Sequence, residues 1–106
     1  MVTVDDVLSL LNDERRRYAL YFLSEQDRPV PIDEVVRAVA EMETGSDGEP
    51  DESTIRDVEL SFHHNHLDRA DRYEFVYYNR TDQTIEMYES PTKFDVMLTV
   101  AEVFER

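Results

Sequence analysis

The fold turns on the stretch Ser53–Glu89, STIRDVELSFHHNHLDRADRYEFVYYNRTDQTIEMYE. Asp51 or Ser53 can accept a hydrogen bond from the open amides of a helix that the following residues propagate. With Ile55 as the inward reference and about 100° per residue, Val58 and Phe62 share its face, with Glu59 and His66 nearby. Arg56, Asp57, Leu60, Ser61 and His64 point elsewhere. The helix is expected to be long, with Leu67–Arg72 as its last turns. Phe75–Tyr78 and Thr84–Glu89 carry the β-branched and aromatic residues of strands, and Asn79–Gln83 is the turn between them. The second strand alternates, Ile85 and Met87 to one side, Glu86 and Tyr88 to the other.

Upstream, Thr3 can cap a short helix in which Val4, Val7, Leu8 and Leu11 recur at helical spacing. Asn12 is expected to cap a second helix, with Asp13 and Glu14 in its first turn. Tyr18 to Leu23 are all apolar or aromatic, so this helix is expected to be buried on several sides. Arg28-Pro29-Val30-Pro31 is extended, because each proline disfavours helix in its predecessor; Val30–Ile32 can form a very short strand. A third helix over Asp33–Glu43 turns Ile32, Val35, Val36, Val39, Ala40 and Met42 inward. Thr44–Pro50 holds both glycines and no apolar residue, and reads as a loop.

Downstream, Ser90-Pro91 opens a last helix. Phe94, Met97, Ala101 and Phe104 form one apolar stripe, and Val96, Val100 and Val103 a second beside it. One stripe suffices for docking on a domain of this size. The second is expected to meet another molecule, together with the N-terminal helix, in a two-fold dimer; a wider internal core is the alternative. The sum is a mainly α chain with a small β-hairpin (α+β), a winged helix-turn-helix with a C-terminal dimerisation helix. Residues 1–106 are expected to form a single domain, with an N-terminal helix over 1–11, recognition helix and wing over 53–89, and dimerisation helix over 91–106.

Composition narrows the setting. Twenty-five acids oppose eleven bases for a net charge of −14, and Lys93 is the only lysine. Acid-rich, lysine-poor surfaces stay hydrated in concentrated salt, where the Debye length falls to about 3 Å at 1 M, so a halophile's cytoplasm is expected. An ordinary acidic protein that avoids nucleic acid is the alternative. Absence of cysteine removes disulfides and thiolate metal sites. No apolar run spans a bilayer, and the start lacks a secretory signal's basic region.

The segments LLNDERRRYALYFL (Leu10–Leu23), PVPIDEVVRAVAEME (Pro29–Glu43) and SFHHNHLDRADRYEFVYYN (Ser61–Asn79) resemble a small haloarchaeal winged-helix family, mostly uncharacterised and treated as predicted transcription regulators. The resemblance covers about Val7–Glu89. Its most specific part is His64-Asn65-His66-Leu67, followed by an aromatic at Tyr78. After that motif the family carries proline, a basic residue and leucine where this chain has Asp68, Arg69 and Ala70. It has glycine before the wing strand where this chain has Glu74.

These features make sequence-specific binding of double-stranded DNA the leading expectation, through Arg56, Ser61 and His64 on the long helix, Arg69 and Arg72 near its exit, and Arg80 at the wing tip. Arg15, Arg16 and Arg17 can touch DNA backbone or pair with local acids such as Asp13 and Glu14. The alternative is a winged-helix protein-interaction module using Tyr73, Tyr77, Tyr78 and Tyr88. Glu59, His63 and His66 share a helix face, yet one helix rarely supplies a full zinc shell, so neither metal nor cofactor is expected. No nucleophile elbow, phosphate loop or HExxH occurs, and no enzymatic activity is expected.

Overall fold

The computed structural model describes residues 3–45, 48–66 and 75–105. Helix α1, Val4–Leu10, starts on a reciprocal cap: the Asp6 amide donates to Thr3 Oγ1 (3.1 Å) and the Thr3 amide to Asp6 Oδ2 (2.9 Å). These bonds hold the exposed Asp6 carboxyl below its ordinary range, the backbone bond from Thr3 contributing most. Helix α2, Glu14–Ser24, begins on Asp13, which accepts the Arg16 amide at 3.0 Å. The expected cap was Asn12. The shift by one follows from α1, which ends on Leu11 with its last carbonyls tied to α2, leaving Asp13 as the first extended residue.

Strand β1 is the dipeptide Val30–Pro31, and helix α3, Ile32–Thr44, follows without a break. Proline is tolerated there because β1 lies at a sheet edge. Helix α3 stops at Gly45, whose φ of 81° suits a residue without a Cβ. Helix α4, Glu52–Ser61, is capped by Asp51, which accepts the Thr54 amide at 2.8 Å. It continues as a wider, π-type turn over Phe62–His66. The expected last turns over Leu67–Arg72 lie outside the described residues.

Strands β2 (Val76–Asn79) and β3 (Thr84–Met87) form the hairpin, and β1 adds to β3 to give an antiparallel sheet ordered β1-β3-β2. Ile85 is the register point, opposite Val30 on one side and Tyr78 on the other. The Ile32 amide donates to the Gln83 carbonyl (2.9 Å), fixing the start of α3 to the hairpin turn. Helix α5, Thr92–Glu105, closes the chain. The described chain is therefore mainly helical with one small antiparallel sheet, an α+β arrangement.

Helix α2 sits at the centre, with Ala19, Leu20, Tyr21 and Leu23 buried. Val35, Val36, Val39 and Ala40 of α3, Val58 of α4 and Phe62 pack around it with Val30 and Ile85 of the sheet. The Phe75 and Phe94 rings, 4.5 Å between centroids, join hairpin to α5. Two residues depart from the expected pattern on α5: Leu98 is buried, whereas Phe104 is 88% exposed. The inward side is Phe94, Met97, Leu98, Ala101 and Glu105, and Phe104 falls on the outer face with Val96, Val100 and Val103. Tyr78, expected at the surface, is also buried, because its place opposite Ile85 turns it inward. Among the described residues no helix is long and apolar enough to cross a membrane.

Candidate functional site

The three successive arginines on α2 each reach a different element, since neighbours on a helix point about 100° apart. Arg15 forks onto Glu43 of α3 (2.7 and 3.2 Å) and the Asp57 carbonyl of α4 (3.3 Å). Arg16 holds the Leu10 and Ser9 carbonyls at the end of α1 (2.6 and 2.9 Å). Arg17 grips both oxygens of Glu105 on α5 (2.8 and 2.7 Å) and the Leu11 carbonyl (2.7 Å). Tyr21 Oη donates to the same Glu105 carboxylate at 2.7 Å. Distant acids and helix-end carbonyls are thus among the partners of this triplet, beyond the local acids Asp13 and Glu14.

Electrostatics follow this geometry. The Arg17 guanidinium beside Glu105 holds that carboxyl below its ordinary range, reinforced by the Tyr21 hydroxyl. Burial, then the bond to Glu105, pushes the Tyr21 phenol well up. Arg15 is raised by Glu43. These side chains are committed to holding the fold, not to a ligand.

Helix α4 and the hairpin are differently built. Val58 and Phe62 anchor α4 inward, which turns Arg56, Asp57, Glu59 and Leu60 to solvent. Arg56 makes no ion pair with a described residue, whereas Arg15, Arg17, Arg28 and Arg37 each pair with glutamate. Ser61 is half-buried at the end of α4, and His64 is exposed on the turn that follows. Arg80 stands at the hairpin tip, its guanidinium carbon 5.1 Å from the centroid of the Tyr78 ring. That tip is tightly braced. Asn79 Oδ1 accepts the Asp82 amide (3.0 Å), and Gln83 Nε2 donates to both Tyr78 Oη and the Arg80 carbonyl (2.9 Å each). Gln83 accepts a positive φ of 54° to make these bonds.

Of the expected DNA contacts, the structure thus places Arg56, Ser61 and His64 along α4 and its continuation, and Arg80 on the hairpin. Arg69 and Arg72 lie outside the described residues. His63 is exposed, and among the described residues no group of three or more metal-ligating side chains converges. The His66 side chain is outside that set.

A second surface lies between the terminal helices. Val4 and Leu8 of α1, with Val96, Val100, Val103 and Phe104 of α5, are all at least half exposed. An open groove of about 580 Å³ runs between them, floored by Leu11, Met97 and Ala101. Sequence reasoning found the outer valine stripe but missed Phe104 as part of it.

Residues 8–86 match a domain of unknown function, DUF7344. The chain belongs to the DUF7344 family. The matched span runs from within α1 to within β3, so it takes in the arginine triplet, α4 and the hairpin and stops before α5. No curated protein and no solved structure matches the chain. Within DUF7344 the functional reading therefore rests on the residues themselves.

Proposed function

We propose that this protein is a sequence-specific DNA-binding transcription regulator of winged-helix type, acting as a homodimer in concentrated salt. The carrying observation is Arg56, exposed and without a described carboxylate partner on a helix that leads toward a hairpin tipped by Arg80. The order of elements supports the same reading, since a helix pair, α3 and α4, precedes a hairpin whose third strand comes from the segment before α3. In such a unit α4 enters the major groove and the hairpin lies along the flank. Arg56 and His64 then address base edges or phosphates, and Arg80 a phosphate or the minor groove. Ser61, Arg69 and Arg72 extend that contact surface.

The acidic surface sets the regime. Asp57 and Glu59 are exposed on α4 beside Arg56, and at low salt they oppose a phosphate backbone. Counterion release, the usual source of affinity, fades as salt rises, leaving base contacts, apolar contacts and bridging water or cations. The expected salt dependence is therefore flat or rising.

A second reading, a protein-interaction module, is favoured by Tyr77 and Tyr88, which are 51% and 43% exposed on the hairpin. Retention of genomic fragments in multimolar potassium chloride separates the two. The DNA reading expects retained fragments sharing a sequence, with Arg56→Ala and Arg80→Ala each weakening retention by roughly tenfold, a loss within the range for a specific arginine contact. Wild-type protein that retains no fragment above background refutes it.

A further inference from the structure

We infer that the two protomers of the proposed homodimer interlock through Phe104, each inserting its ring into the α1–α5 groove of the other. The inference deepens the homodimer reading above and rests on it.

Three features of the surface point to a second copy as the occupant. The first is shape. Phe104 is 88% exposed on the rim of an open apolar groove of about 580 Å³. A two-fold contact uses the same patch on both partners, so it requires projection and recess to lie side by side, as they do here. The second is charge. Two copies of a chain with a net charge of −14 repel one another unless they meet over a neutral face. The charged residues lining this groove are Arg17 and Glu105, which are 2.7 Å apart and cancel. The third is spacing. Val96, Val100 and Val103 recur at i, i+4 and i+7 along the exposed side of α5, the seam by which one helix packs on another.

A small apolar effector or an unrelated protein would need the groove but not the projecting ring. Only a copy of this chain uses both. Phe104 is thus expected to be the anchor of the contact, since enclosed aromatics dominate such interfaces.

Sedimentation equilibrium of the full chain in 2 M potassium chloride, from micromolar to several hundred micromolar, is the test. Wild type is expected to dimerise, with Phe104→Ala raising the dimer dissociation constant by about thirtyfold or more, the effect of losing an anchor residue. Because Phe104 is so exposed, its removal leaves the monomer's melting curve unchanged, so a loss of dimer cannot be a loss of fold. Leu60→Ala, which trims a half-exposed apolar side chain on α4, is expected to leave dimerisation untouched. A tight wild-type dimer that Phe104→Ala does not weaken overturns the interlock and leaves the homodimer standing. Equal weakening by Leu60→Ala also overturns it, by placing the contact elsewhere. A wild type that stays monomeric throughout overturns both.

Discussion

Replacing Glu105 by glutamine isolates what holds the last helix to the body. The carboxylate accepts two bonds from the Arg17 guanidinium and one from the Tyr21 hydroxyl, all between 2.7 and 2.8 Å. Hydrogen bonds to a charged group are worth about 1.5–3 kcal/mol each in net stability. Two effects reduce the sum. The paired side chains remain 25% and 17% exposed, so water screens them, and the final turn of α5 can fray to let Arg17 hydrate. Glutamine also keeps the length and one acceptor. The expected loss is about 2 kcal/mol, which for a chain of this size lowers the melting temperature by about 9 °C. Thermal and urea unfolding in matched salt measure it, with Arg17→Gln and the double substitution completing a cycle whose coupling should be about 1 kcal/mol or more. Acid gives an independent reading. Because Glu105 titrates lower in the folded state, its contribution is fully present above the unfolded value of about 4.3 and is lost as pH falls through the folded one. The gap between wild type and Glu105→Gln should therefore close on acidification below about pH 4. A single substitution costing under about 0.5 kcal/mol, strict additivity in the cycle, or a gap independent of pH would refute the reasoning.

Two further substitutions probe other parts of the structure. Phe94→Ala empties a fully buried site against Phe75 and should cost about 3–5 kcal/mol, read as a lower urea midpoint with an unchanged slope. Glu89→Gly should raise stability by about 0.5–1 kcal/mol, because Glu89 adopts a φ of 48° that glycine takes without a Cβ clash; no gain in the melting temperature contradicts this.

The cap at Thr3, the inward stripe of α3 and the strands of the hairpin were legible in the sequence because each is a local pattern with its own period or chemistry. The rotation of α5 was not. Phe94, Met97, Ala101 and Phe104 form as coherent a stripe as Phe94, Leu98, Ala101 and Glu105, and the two differ by a turn of about 50° about the axis. Hydrophobicity favours the first set. The Arg17 and Tyr21 bonds to Glu105, made across more than eighty residues of chain, select the second. The long-range partners of Arg15 and Arg17 were hidden for the same reason, since nothing local distinguishes Glu43 and Glu105 from the other acids. Arg56 was legible as outward-facing because Val58 and Phe62 fix the phase of α4.

The wide, flat fork of arginine explains part of the near-absence of lysine. Arg15, Arg16 and Arg17 each bridge at least two acceptors on one or more neighbouring elements. An ammonium is a single point at the end of a flexible stem and cannot span such pairs in fixed geometry. Conversion of this triplet to lysine would keep every charge and the same solvent-facing chemistry, yet loosen α2 from four helices at once. A bias that looks like adaptation to the medium is, at these positions, carpentry.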